Sequence, residues 1–396
     1  MNVSGVTAVP DNIPMRKNLW QFCILFLAML VYPACSLAVP KMTARSWLLM
    51  DTVSNQVLAS RGADTKMASK TVSKLMTACL VFDALKDGKT GLDQEVVIPE
   101  QVLQSASSNG PSMFLQQGQT ITVQDLLQGL LVHGADDAAL ALALTVSGDE
   151  REFVELMNHE ARRIGMKSTQ FVHPYGSSDR KGYSTPADLA VLSMYIIRNY
   201  QAYYDYFSVR EITHNRIRMR NPNRLLWLDA AVDGLMATKS AGEGYTLVAS
   251  AKRQSVSGER RMLTVVTGLS SEQVCAQESL KLLNWGFQDF DMIRLFEKGQ
   301  VVSSPVVWKG SSGEVDVGFE EDTYISVPKG KASRLRSVLV RQDPLIAPID
   351  EGTRIGTLKI MVDDRVIAEL PVVALEQINV ASFLGRLWDT ICLWFK

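Results

Sequence analysis

The chain has 396 residues, of which 46% are hydrophobic and 21% charged, and its formal net charge is −1. This composition is ordinary for a folded protein, and the length suits two domains. No basic stripe or aromatic platform is present, so a nucleic-acid partner is not expected. The four histidines are dispersed, and the cysteines are too scattered for a disulfide framework. The sequence therefore predicts neither a metal nor another cofactor.

The first part of the chain has the pattern of a secretion signal. Residues 15–17 are a short basic start, and residues 19–31 are almost entirely apolar. Ser36 and Ala38 then offer small side chains at the positions that a signal peptidase needs. The apolar run is shorter than the ~20 residues of a membrane-spanning helix. We predict a signal peptide over residues 1–38, and an uncleaved N-terminal anchor is the alternative.

Hydrophobic periodicity predicts an α+β domain over residues 41–289. The expected elements are strands at 47–51 and 56–59, helices at 73–85, 123–131, 138–146, 152–164 and 186–198, strands at 247–251 and 262–268, and a helix at 271–286. Strands at both ends of this segment, with helices between them, indicate a sheet built from its two halves.

A second, all-β domain is predicted over residues 290–378. Its short β-rich runs alternate with Gly and Pro turns, at 300–302, 315–317, 323–327, 338–340, 356–362 and 366–373. No helix is expected in this domain before Leu375. The pattern is typical of a small β sandwich or barrel.

The last residues, 379–396, predict an amphipathic helix. Large apolar residues recur there at spacings of three and four: Phe383, Leu384, Leu387, Trp388, Ile391, Trp394 and Phe395. A terminal helix with two tryptophans suits a membrane surface, in which it would lie rather than cross. The alternative is a helix packed on its own domain.

One short motif could carry chemistry. Thr71 and Lys74 are three residues apart at the start of a predicted helix, so their side chains share a face. A helix N-terminus favours negative charge developing on an oxygen, and a lysine with a lowered pKa can accept the hydroxyl proton. On the motif alone, a surface helix cap is the favoured interpretation.

Longer segments place this motif in a family. They are W-L-L-M-D (47–51), K-L-M-T-A (74–78), L-L-Q-G-L-L-V-H-G-A-D-D-A-A (126–139), G-Y-S-T-P-A-D-L-A (182–190), R-L-L-W-L-D (224–229) and V-D-G-L (232–235). In this order and spacing the chain resembles the penicillin-binding D-alanyl-D-alanine carboxypeptidases over roughly residues 44–396. The resemblance implies a DD-peptidase/β-lactamase-like domain with an antiparallel sheet and a helical cluster, then the β domain and an amphipathic tail. It also implies peptidoglycan stem peptides as the substrate class.

The family's three catalytic motifs are altered in this chain. They are Ser-x-x-Lys, Ser-x-Asn and Lys-Thr-Gly. Aligned without gaps, the resemblance puts the nucleophile on Thr71 and the base on Lys74, the second motif on Gly134, Ala135 and Asp136, and the third on Met236, Ala237 and Thr238. A further family arginine falls on Pro222. Of these residues only Lys74 is kept.

Each alteration has an expected chemical effect. The extra methyl group of Thr71 stiffens χ1 and crowds an approaching carbonyl. Gly134 lacks a hydroxyl that could relay a proton to the leaving amine. Asp136, if it lies near Lys74, favours the charged ammonium, which is no base. Met236 removes the cation expected to meet the substrate carboxylate.

Residues outside the aligned positions could replace two of the altered catalytic groups. Lys239 and Ser240 resemble the third motif displaced by three residues, and Lys239 could then anchor the anion. A shift by an odd number turns strand side chains to the other face unless a bulge corrects it. Ser69 could replace the nucleophile, but it lies five residues from Lys74 and off the helix face.

The sequence thus predicts an exported protein of peptidoglycan metabolism, held at the periplasmic face of the inner membrane by its C-terminal helix. Two hypotheses remain open. The first is a peptidase with Thr71 as nucleophile, Lys74 as base and Lys239 as anion anchor, and it would also bind β-lactams. The second is a catalytically inactive module that binds stem peptides or has a regulatory role. The altered motifs favour the second.

Overall fold

The computed structural model describes residues 39–105, 110–176, 181–383 and Asp389. The predicted signal peptide therefore lies outside the described residues, as does most of the predicted C-terminal helix. Phe383 is exposed. Asp389 accepts a hydrogen bond from the backbone N–H of Lys309 at 2.5 Å. Among the described residues no helix combines the length and the apolar character needed to cross a membrane.

The first domain has strands near both of its ends and helices between them. Its elements are β1 (Ser46–Asp51), β2 (Gln56–Arg61), β3 (Met67–Ala68), α1 (Lys70–Lys86), β4 (Glu95–Val97), α2 (Glu100–Ser105), β5 (Thr120–Thr122), α3 (Val123–Gln128), α4 (Asp136–Ser147), α5 (Glu150–Arg163), β6 (Tyr183–Ser184), α6 (Pro186–Asn199), β7 (Glu211–His214), β8 (Ile217–Arg220), α7 (Leu225–Leu228), β9 (Val232–Ser240), β10 (Gly244–Ser255), β11 (Gly258–Leu269) and α8 (Glu272–Asp289).

The sheet of this domain joins the two halves of the segment, as predicted. Its order is β2-β1-β11-β10-β9, and every neighbouring pair is antiparallel. In the pairing of β1 with β11, Leu48 lies opposite Val265, and both are buried. β9 forms one edge of this sheet.

Helix α1 is buried on nearly all sides. Its apolar residues Val72, Leu75, Cys79 and Phe82 are fully buried, and so are several polar ones. Such a helix belongs at the centre of a domain rather than on its surface. It begins at Lys70, three residues before the predicted start, so the Thr71–Lys74 motif lies in its first turns. Cys79 belongs to the core of the first domain.

The predicted helix over 123–131 is wrong at its end. Regular α-helix stops at Gln128, and a π-helical turn over Gly129–His133 follows. The turn ends at Gly134, whose φ of 72° lies in the left-handed region that favours glycine. Helix α4 then starts at Asp136, two residues earlier than predicted. The residues of the second motif are therefore placed by a tight turn between two helices.

The β-rich second part of the chain is confirmed, with one 3₁₀ turn at Ala332–Arg334 as its helical element among the described residues. Its strands are β12 (Phe290–Phe296), β13 (Val301–Ser303), β14 (Val307–Trp308), β15 (Val317–Gly318), β16 (Thr323–Pro328), β17 (Leu335–Arg341), β18 (Leu345–Ile346), β19 (Arg354–Val362) and β20 (Arg365–Ala374). The largest sheet has the order β13-β15-β20-β19-β17.

A buried polar network joins the two parts of the chain. The Arg260 guanidinium forms an ion pair with Asp51 at 2.7 Å and donates to Ser326 Oγ and to the carbonyl of Phe290, each at 2.7 Å. Ser326 Oγ also donates to Asp51 at 2.6 Å. Nearby, the Gln56 side chain donates to the carbonyl of Ile367. The β domain is thus attached to the peptidase-like sheet through satisfied buried hydrogen bonds.

Candidate active site

A cleft of about 1010 Å³ opens beside the N-terminus of α1. Its walls include the start of α1, the turn at Gly134, the end of β9, strand β8 and its connection to α7. Its lining includes Lys70, Lys74, Gly134, Thr238 and Lys239. The cleft therefore collects residues from all three altered motifs.

The hydroxyl at the nucleophile position is engaged with strand β9. Thr71 Oγ1 lies 2.6 Å from Thr238 Oγ1, and the two side chains are 2% and 9% exposed. Among the described residues, Thr71 Oγ1 has no hydrogen bond to Lys74 Nζ. Ser69 is fully buried, and a side chain on Gly182 would touch its Oγ, so Ser69 faces β6 rather than the cleft.

Lys74 is held by groups of the second motif. Its Nζ forms an ion pair with Asp136 Oδ1 at 2.6 Å and donates to the carbonyl of Gly134. Both charged side chains are almost fully buried. Burial lowers the pKa of Lys74 below its usual value, and the Asp136 carboxylate opposes that shift. The lysine that would act as base is thus paired with a carboxylate.

Two glycines shape this pair. A side chain on Gly110 would clash with Asp136 Oδ2, so the close packing of the carboxylate requires glycine there. At Gly134, a Cβ would lie 3.7 Å from Lys74 Nζ with no closer neighbour. A Cβ at position 134 would therefore make an ordinary van der Waals contact with Lys74, although the backbone would have to stay in the left-handed region.

Asp137 points away from Asp136 and has a structural role. Its carboxylate accepts hydrogen bonds from the backbone N–H groups of Met113 and Leu115 and from Ser112 Oγ. It therefore fixes the loop that runs beside the cleft.

The third-motif residues lie on both faces of β9. Its pairing with β10 is regular from Gly234 to Ser240, so Met236 and Thr238 lie on one face of the strand and Ala237 and Lys239 on the other. Met236 is buried in the core and does not line the cleft, whereas Ala237, Thr238 and Lys239 do. Lys239 is exposed, with its Nζ 5.5 Å from the centroid of the Tyr245 ring. Ser240 is buried and does not line the cleft.

The cleft is rich in cations that sequence reasoning did not identify. Besides Lys74 and Lys239 it is lined by Lys70, Arg218, Arg220 and Arg224. Arg218 pairs with Glu211 and Arg224 with Glu272. Within the described part of the chain, Lys70, Arg220 and Lys239 have no carboxylate partner. The alternation of I-R-M-R over 217–220 was the available signal, since it predicts two arginines on one strand face.

Comparison with known proteins identifies the family. Residues 34–271 match the family model for D-alanyl-D-alanine carboxypeptidase, and residues 290–380 match that for the C-terminal domain of penicillin-binding protein 5. The chain is 33% identical to D-alanyl-D-alanine carboxypeptidase DacC of Escherichia coli, over 90% of this chain and 89% of the relative.

Solved structures agree with this match. Penicillin-binding protein 5 of Haemophilus influenzae has a TM-score of 0.78 and 32% identity, over 86% of this chain and 99% of that one. Penicillin-binding protein D2 of Listeria monocytogenes, solved in its ampicillin-bound form, has a TM-score of 0.55 and 26% identity, over 63% of this chain and 99% of that one.

The fold is therefore the DD-peptidase and β-lactamase-like fold, followed by a β domain. The chain belongs to the D-alanyl-D-alanine carboxypeptidase family, which is involved in peptidoglycan metabolism.

Proposed function

We propose that this chain binds the D-Ala-terminated stem peptides of peptidoglycan without cleaving them. The ion pair between Lys74 and Asp136, at 2.6 Å and almost fully buried, is the observation that carries this proposal. A general base must be free to accept a proton from its nucleophile. Lys74 instead is ion-paired with Asp136 and donates to the Gly134 carbonyl, and the Thr71 hydroxyl is hydrogen-bonded to that of Thr238. Neither member of the pair is arranged for proton transfer.

The cleft retains what is needed for binding. Stem peptides end in a carboxylate, and Arg220 and Lys239 line the cleft as cations without carboxylate partners among the described residues. An arginine fork suits a carboxylate because it can donate two parallel hydrogen bonds. We assign Lys239, with Arg220, the anion-anchoring role that Met236 cannot fill.

An active peptidase remains the second candidate because burial lowers the pKa of Lys74. A lysine with a lowered pKa is a better proton acceptor at neutral pH. In this candidate Thr71 is the acyl nucleophile, Lys74 the base and Lys239 the anion anchor, and β-lactams acylate Thr71.

We further propose that the protein is exported after cleavage at Ala38 and lies on the periplasmic face of the inner membrane through residues 379–396. The peptidase-like domain spans residues 41–289 and the β domain residues 290–378 in this proposal. The apolar spacing of the tail supports the membrane assignment. Deleting residues 379–396 should move the protein from the membrane fraction to the soluble periplasmic fraction, and unchanged fractionation would contradict the assignment.

The central test combines binding with turnover. Calorimetry should detect binding of a pentapeptide ending in D-Ala-D-Ala, while an amino-acid assay finds no released D-Ala and fluorescent penicillin does not label the protein. Lys239→Gln should weaken peptide binding about five- to tenfold, which corresponds to roughly 1–1.4 kcal/mol. Lys298→Gln, an exposed lysine of the β domain, is the matched control and should change nothing.

The result that contradicts the proposal is equally specific. Release of D-Ala, or penicillin labelling, that disappears in Thr71→Ala would establish the peptidase. Absence of any peptide binding would remove stem-peptide recognition itself.

A further inference from the structure

Thr238 contacts the hydroxyl at the nucleophile position and also lines the cleft. Thr238 lines the cleft, whereas Thr71 does not and is only 2% exposed. The two hydroxyl oxygens are 2.6 Å apart. In the motif alignment, Thr238 occupies the position of a glycine, which has no side chain.

We infer that the Thr238 side chain itself closes the acyl-carbonyl subsite, independently of the changes at the nucleophile and the base. A reacting carbonyl carbon must come within about 3–3.5 Å of the attacking oxygen. Thr238 Oγ1 already lies within that distance of Thr71 Oγ1, and Thr238 lines the cleft whereas Thr71 does not. A carbonyl can therefore reach Thr71 only if the side chain of Thr238 is moved.

Rotation about χ1 clears the subsite in only one of the three staggered rotamers. Threonine carries two heavy atoms on Cβ, so in the other two rotamers either the hydroxyl or the methyl group points toward Thr71. The backbone of β9 is fixed by regular pairing with β10, in which Thr238 lies opposite Thr246. The obstruction therefore comes from the bulk of the substituents on Thr238 Cβ and not from the hydrogen bond to Thr71.

The reaction that Thr238 blocks is acylation by a β-lactam. In that step, the oxygen of residue 71 forms a bond to the lactam carbonyl carbon, and the lactam C–N bond breaks. The hydroxyl proton finishes on the lactam nitrogen, so atoms and charge balance without a further reactant. This inference deepens the proposed function by naming the residue that keeps the site from reacting. Its test uses no stem peptide, so the two ideas can fail separately.

The test is carried out in a background in which the altered residues of the first two motifs are restored. The full chain with Thr71→Ser, Gly134→Ser and Asp136→Asn is compared with and without Thr238→Gly. Fluorescent penicillin V is the probe, and peptide mass mapping locates the label at residue 71. We expect labelling at least tenfold faster when Thr238→Gly is present.

Two further variants separate bulk from hydrogen bonding and from folding. Thr238→Val keeps both γ substituents but loses the hydroxyl, so the restored background carrying it should stay as slow as with threonine. Thr238→Ala removes both γ atoms while keeping a Cβ, and it replaces Thr238→Gly if thermal melting shows that the glycine variant does not fold. Equal labelling with and without the Thr238 side chain would overturn the inference. An absence of labelling in every folded variant would overturn it as well.

Discussion

Asp136 controls what Lys74 can do at the scale of single residues. The burial of Lys74 favours its neutral form, and the carboxylate 2.6 Å away favours the ammonium. An asparagine at position 136 would leave only the first effect. Lys74 is the one motif residue that matches the family, and the altered residue Asp136 favours its charged form, which cannot act as a base.

We predict that Asp136→Asn destabilises the protein at neutral pH by roughly 3–5 kcal/mol, because it leaves a buried ammonium without its carboxylate. The folded-state pKa of Lys74 then lies further below its unfolded value, so the unfolded state binds more protons. The loss in free energy of unfolding should therefore shrink as pH rises through the folded pKa toward the unfolded value. Urea unfolding at pH 6 and pH 9 measures this change.

The matched control for this prediction is the double variant Asp136→Asn with Lys74→Met. Replacing a buried ion pair by uncharged groups is often nearly neutral, so the double variant should recover most of the stability and lose the pH dependence. A pH-independent loss in the single variant would show that packing, and not charge, is the cause.

At these positions the sequence motifs predicted which residues belong to the site but not which of them are in contact. The aligned motifs brought Thr71, Lys74 and Asp136 together, and helical spacing put the first two on one face. The hydrogen bond between Thr71 and Thr238 depends on how close β9 comes to α1, and no local sequence pattern predicts that distance. For the same reason, Arg220 was not identified as part of the cleft, since tertiary packing alone brings it there.

At the scale of elements, the strongly periodic helices were predicted, whereas the buried edge strand β9 and the π-helical turn were not. The helix over 186–198 was found almost to the residue, because Thr185 caps it and a proline opens it. β9 was absent from the predicted elements because it is buried over most of its length, so it shows no alternation of apolar and polar residues. The π-helical turn at Gly129–His133 cannot be distinguished from a continuing α-helix by spacing alone.

The junction between sheet and β domain gives the prediction at this scale. Arg260→Met leaves Asp51 buried without its guanidinium and should lower the free energy of unfolding by about 3–5 kcal/mol. Arg253→Met is the matched control, because the ion pair of Arg253 with Asp229 is partly exposed and should contribute less than about 1 kcal/mol. Denaturant unfolding compares the two, and similar losses would mean that the network does not hold the domains together.

For the whole molecule, the order of domains followed from composition and turn frequency. The helical segment and the β-rich segment differ in periodicity, so the change between them near residue 290 was visible in the sequence. The contacts across that boundary were not visible in the sequence, because Asp51, Arg260 and Ser326 are far apart in the chain.

Alkylation of two buried thiols should report global unfolding. Burial raises the pKa of Cys79 well above its usual range and that of Cys275 to about 12. Cys79 also donates to Tyr200, which in turn donates to Asp83. Thiolate is the reactive form, so neither residue should be alkylated at pH 8 in the native protein. Peptide mass mapping after iodoacetamide treatment should show modification at both positions only in denaturant, and fast native labelling would contradict this packing.

In the inactive site proposed here, the Lys74–Asp136 pair would also make catalysis hard to regain. A chain that mutates Asp136 back to an amide first becomes less stable and gains nothing while Thr238 still covers Thr71. A chain that trims Thr238 first uncovers a hydroxyl whose lysine is still bound to a carboxylate. In the proposed inactive site, each single reversal would therefore be harmful or without benefit until the others are in place, so peptidase activity would require several simultaneous substitutions.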